Sequence, residues 1–159
     1  MAFKNLDPSA QELAMPGLIQ VYEQSISTSS HSYEAVIEVW MYSMGLAAKK
    51  AIPSLLLGVT NANASVRSQS LSALGRIHSE PAVVVPIFIK SLNDSDATVR
   101  WVAAGYLGSH ALDARPAVPA LIELLKDTNS TGLNLMVRKE ATNALKKIDP
   151  ESAAKAGVK

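Results

Sequence analysis

Apolar residues recur along this chain at helical spacing, and the helices they predict come in pairs. Val66, Ser70, Leu74 and Ile77 recur as Val99, Ala103, Leu107 and His110, and again as Val137, Ala141, Leu145 and Ile148. Spacing of i, i+4, i+8 and i+11 is one face of an α-helix, the pattern that burial of a single stripe produces. Ahead of each such helix stands a shorter apolar run around a proline, in AIPSLLLGV, VVPIFIKSL and AVPALIELL. Turn-forming residues separate the two runs, Asn61 to Asn63 in one case and Asn93 to Asp96 in another. A side-chain oxygen at Ser65 or Asp96 is placed to cap the second helix. The predicted unit is therefore two short antiparallel helices, A around the proline and B after the turn.

The units follow a fixed period. Pro53, Pro86 and Pro119 are spaced by 33 residues, and Arg67 and Arg100 each follow their proline by 14. The third arginine, Arg138, comes after a five-residue insertion around Asn129 to Leu133, and insertions belong in turns. Seven residues beyond each arginine stands Leu74, Leu107 or Leu145, followed by Gly75, Gly108 and, departing from the pattern, Lys146. Residues 14–47 read as a degenerate first unit: Pro16 and Ile19 stand in for helix A, Ser25 to Ser32 for the turn and Tyr33 to Gly45 for helix B, with Ile37 in the place of the arginine. A terminal repeat faces water on one side, so atypical composition there is capping behaviour. The expected architecture is all-α: one right-handed α-solenoid domain over 1–159, with an N-terminal capping repeat at 14–47, full repeats at 49–80, 81–113 and 114–149, and a C-terminal tail at 150–159.

Composition agrees with helices and removes several classes of chemistry. The chain is 48% hydrophobic and 18% charged, which excludes a wholly disordered polymer, and only 5% aromatic, which disfavours a β-sandwich. It has no cysteine, so disulfides, thiolate metal sites and cysteine nucleophiles are absent. The N-terminal residues lack the apolar core of a secretory signal, and no apolar run reaches the roughly eighteen residues of a membrane span, so a cytoplasmic location without membrane contact is expected. Fifteen basic and fourteen acidic residues leave a net charge of +1, without the concentrated basic face of a nucleic-acid binder. His31, His78 and His110 do not share metal-ligand spacing, and nucleophile-elbow, phosphate-loop and zinc-protease motifs are missing. Neither metal nor cofactor is expected.

The proline, the Val-Arg pair, the Ala-Leu-Gly run and the 33-residue spacing resemble bacterial HEAT repeats, in particular the short phycobilisome-lyase HEAT-like variety. The resemblance covers residues 49–149 well and 14–47 weakly. It implies a non-catalytic scaffold that binds a protein or peptide on a concave face lined by B helices. The same resemblance includes bilin lyases and alkylpurine DNA glycosylases, an enzymatic alternative for which Glu38, Tyr42 and Trp101 are the candidate groups. An inhibitory or immunity-type partner protein would use the same groove.

Carried along the B helices, the outward register gives Glu38, Tyr42 and Leu46, then Ser68, Ser72 and Arg76, then Trp101, Gly105 and Ser109, then Lys139, Asn143 and Lys147. An exposed tryptophan beside tyrosine and cations is the composition of an interface hot spot, and Trp101 cannot share the core face of its neighbour Val99. Arg67, Arg100 and Arg138 are assigned instead to a structural ladder. Asn61, Asp94 and Asp127 stand eight residues after the prolines, at the level where an acceptor meets a guanidinium. Trp40, Met41 and Met44 are read as packing of the N-terminal repeat, the surface expected to carry any self-association.

Overall fold

Asp7 opens the first helix by accepting the Ala10 N–H on Oδ1 at 3.0 Å. The helix, α1 (Pro8–Thr28), runs 21 residues with Pro16 inside it, whereas the sequence pattern placed a turn from Ser25. Hydroxyls explain the difference. Ser25 Oγ donates to Tyr22 O at 2.8 Å, Ser27 Oγ to Gln24 O at 2.7 Å and Thr28 Oγ1 to the same carbonyl at 2.9 Å, so these side chains are satisfied by the helix they sit on.

The computed structural model describes residues 7–28, 33–34, 36–37, 49–77, 81–126 and 132–158. Every regular element among them is helical. The chain divides into two compact units, Met1–Ser79 and Glu80–Lys159.

In the first unit α1 packs against α2 (Ile52–Gly58), and α2 against α3 (Ala64–Arg76). Pro53 stands in the first turn of α2, where a missing N–H costs no intrahelical bond. Asn63 caps α3 by accepting the Ser65 N–H at 2.8 Å, so Ser65 receives the cap that it was expected to supply. Met15, Tyr22, Leu55, Leu71 and Leu74 are fully buried. Tyr22 carries a polar group into this core: its hydroxyl lies 2.7 Å from Ser70 Oγ, which in turn donates to Val66 O at 2.6 Å. Gly58 makes the room, since a Cβ there would collide with the Tyr22 hydroxyl and Ser70 Oγ. Burial raises the Tyr22 phenol to about 12.

The second unit contains α4 (Pro81–Ser91), α5 (Ala97–His110), a 3-10 segment (Ala111–Ala117), α6 (Val118–Leu125), α7 (Gly132–Ile148) and α8 (Pro150–Lys155). Pro119 falls in the first turn of α6, but Pro86 lies inside α4, which Pro81 opens. Asp96 caps α5 as expected, accepting the Thr98 and Val99 N–H groups at 2.8 and 3.2 Å. The core is the predicted stripe: Val99, Ala103, Leu107, Val137, Ala141, Leu145 and Ile148 are buried, with Phe88 of α4 and Leu121 of α6. His110, at the fourth position where the other units have isoleucine, is half-buried, its ring centroid 6.1 Å from that of Phe88. In the tail, Asp149 accepts the Ser152 N–H and hydroxyl at 3.0 and 2.8 Å. Those bonds hold its carboxyl below the ordinary value.

Candidate functional site

The turn between helices A and B is built twice in the same way, 33 residues apart. Asn61 Oδ1 accepts the Asn63 N–H at 2.8 Å, and Asp94 Oδ1 accepts the Asp96 N–H at 2.9 Å. Arg67 Nη1 donates to Asn61 O and Ala62 O, both at 2.9 Å; Arg100 Nη1 donates to Asp94 O and Ser95 O at 2.7 and 2.9 Å. Each guanidinium therefore closes its turn on main-chain carbonyls, which have no helical partner where the chain reverses. Two bonds reach beyond a single pair. Asn61 Nδ2 donates to Ile26 O at 3.2 Å, and Arg100 Nη2 donates to Asn134 Oδ1 at 2.7 Å. Arg138 is half-buried at the matching place on α7, while Asp127 lies outside the described residues.

The outward register of the B helices divides. Glu38, Tyr42 and Leu46, with Trp40, Met41 and Met44, lie outside the described residues. On α3, Arg76 is exposed and Ser72 half-buried. Ser68 departs from the expectation, being buried with 8% of its surface exposed. Its hydroxyl donates to Ser65 O at 3.1 Å, so the short side chain lies flat on its own helix and the neighbouring groups cover it. Its equivalent on α5, Trp101, is 39% exposed. Ser109, Lys139, Asn143 and Lys147 are exposed, and Gly105 is half-buried.

Helices α5 and α7 pack side by side, and two glycines set how closely. A Cβ at Gly108 would lie 3.0 Å from Ala144 Cα, and one at Gly105 would lie 3.6 Å from Glu140 Oε1. These two contacts fix a parallel register that brings Trp101 level with Met136, one turn before Glu140. Met136 and Leu133, each 49% exposed, extend the apolar surface at this end of the pair. Sequence reasoning did not single out either residue. Met136 occupies the place of Ser65 and Thr98, and an apolar residue at an otherwise polar place was the available signal. Asn134, the partner of Arg100, stands four residues before Arg138, at the place that the capping residues Asn63 and Asp96 hold before Arg67 and Arg100.

The family model describing HEAT repeats matches residues 52–133 and again 85–156, a region that takes in the two arginine-closed turns and the packed α5–α7 pair. The chain belongs to the HEAT-repeat family. No curated protein matches the chain significantly. HEAT repeats are commonly protein-interaction scaffolds. Among the described residues, no helix is long and apolar enough to cross a membrane, and no group of three His, Asp or Glu side chains stands where it would hold a metal ion.

Proposed function

We propose that this HEAT-repeat chain is a non-catalytic adaptor that binds a protein or peptide on the B-helix face of its second unit. Trp101 carries the reading. A large indole, 39% exposed, stands on a helix whose next positions in the same register are Gly105, with the Glu140 side chain beside it, and the exposed Ser109. Exposed aromatics of this kind concentrate binding energy because they bury much area for little lost entropy. Ser109, Lys139, Asn143 and Lys147, all exposed, supply the polar side chains of the same register, and Ser72 and Arg76 hold the matching places on α3 of the first unit. Arg67 and Arg100 hold the turns rather than the partner, and Arg138 takes the same role by its place in the repeat. In this reading the repeats are of the short phycobilisome-lyase-like kind and the protein acts in the cytoplasm.

A photo-crosslinking residue placed at Ser109, compared with one at Val83 on the A-helix side, tests the face in source lysate. Adducts from position 109 that disappear with Trp101→Ala are the expected result. Adducts arising equally at position 83 overturn it.

A further inference from the structure

We infer that the partner segment is acidic and amphipathic, seating an apolar side chain on Trp101, Leu133 and Met136 and its carboxylates on the lysines of α7; this deepens, and rests on, the B-helix reading above. The first observation is the uneven charge of α7, which carries Arg138, Lys139, Lys146 and Lys147 against a lone acidic residue, Glu140. Several lysines elsewhere are matched: Lys50 with Glu12, Lys126 with Glu123 and Lys155 with Glu151, at 2.6 to 2.7 Å. Lys139, Lys146 and Lys147 are exposed and make no ion pair among the described residues. Lys146 and Lys147, in the last turn, also suit the negative end of the helix dipole. Lys139, two turns earlier, gains nothing from that dipole.

The second observation is where the charge stands relative to the apolar surface. The α5–α7 register, set by Gly105 beside Glu140 and Gly108 on Ala144, puts Trp101 beside the N-terminal half of α7. Leu133 and Met136 lie there, and the lysines follow toward its C-terminus. The face therefore runs from apolar to cationic along one helix pair, which gives a bound segment a direction. Glu140, directly after Lys139 and before Lys146 and Lys147, repels a carboxylate placed at its own level and so favours acidic residues spaced to either side of it. A nucleic acid fits less well, because it presents phosphates along its whole length and has no use for the exposed leucine and methionine.

Selection of displayed random peptides against the intact chain tests this. The expected peptides pair acidic residues with a nearby leucine, phenylalanine or tryptophan. Their affinity should fall about tenfold, or ~1.4 kcal/mol, in a Lys139→Glu, Lys147→Glu variant and also in Trp101→Ala, each variant retaining wild-type helical circular dichroism. Their association should slow as salt rises. Enriched peptides that require Trp101 but are neutral or basic would overturn the acidic assignment and leave the B-helix reading standing. Peptides that bind Trp101→Ala as well as wild type would overturn that reading too. An empty selection, or displacement of the selected peptides by a single-stranded oligonucleotide at lower concentration than by free peptide, also counts against the inference.

Discussion

Ser68 and Trp101 stand at one place in the repeat, 33 residues apart, and the molecule treats them oppositely. The serine folds its hydroxyl onto Ser65 O and is 8% exposed; the indole is 39% exposed. The turns just before them are nearly superimposable in their bonding, with the same carbonyls facing Arg67 and Arg100. The contrast separates two levels of information in a repeat protein. Turn chemistry and the buried stripe recur because each pair needs them to fold, whereas outward positions are free to differ and carry whatever is particular to one repeat. The interiors differ as well: Ser70 joins Tyr22 in a hydrogen-bonded core contact in the first unit, and its equivalent in the second, Ala103, is simply packed.

Truncating the buried stripe tests its equivalence between units most severely. Leu74→Ala and Leu107→Ala, both at fully buried positions, should each lose about 2 to 5 kcal/mol in chemical denaturation; a large loss in one unit alone would break the equivalence. Next, the two glycines of α5 should part company. Gly108→Ala must displace the Ala144 backbone and should cost about 1 to 3 kcal/mol, while Gly105→Ala, with 3.6 Å to its nearest neighbour, should be neutral or gain up to about 1 kcal/mol from helix propensity. Differential scanning calorimetry of the pair reads both signs.

A smaller effect is expected from the polar core contact of the first unit. Tyr22→Phe should cost about 0.5 to 1.5 kcal/mol near neutral pH. It should also remove a pH dependence. Because the folded phenol is raised to about 12 from its ordinary 10.0, the stability it contributes is whole below the unfolded value and declines as pH rises from there toward the folded value. Alkaline melting curves of wild type should therefore fall across that window more steeply than those of the variant. Smallest of all, Trp101→Ala should change stability by less than about 0.5 kcal/mol. A loss approaching that of Leu107→Ala would place the indole in the core and erase its contrast with Ser68.

How far the sequence could be read follows the same division. The period, the pairing of helices, the buried positions from Val66 to Ile148 and the Asp96 cap were all legible, because they arise from helical spacing and local turn chemistry. Ser25 misled because a hydroxyl can bond to its own helix, so it marks no boundary by itself. Of the candidate face, the exposure of Trp101 followed from its place beside Val99 and Arg100, while Leu133 and Met136 were passed over because they stand where the other B helices begin, ahead of the outward stripe that was carried along the repeats.

By itself, then, the sequence determined the repeating helix pairs and their apolar stripe, since each is a matter of residues a few positions apart; that Arg67 and Arg100 donate to main-chain carbonyls of their own turns, and not to the Asn61 and Asp94 side chains, was visible only in the structure. The tertiary structure decided which outward side chains are covered. It laid Ser68 flat on its helix, kept Trp101 open, used Gly58 to admit the Tyr22 hydroxyl to Ser70, and through Gly108 brought α7 close enough to set Trp101 level with Met136. Those outcomes depend on how closely two helix backbones approach, and that distance is set by side-chain volumes meeting from parts of the chain far apart in sequence.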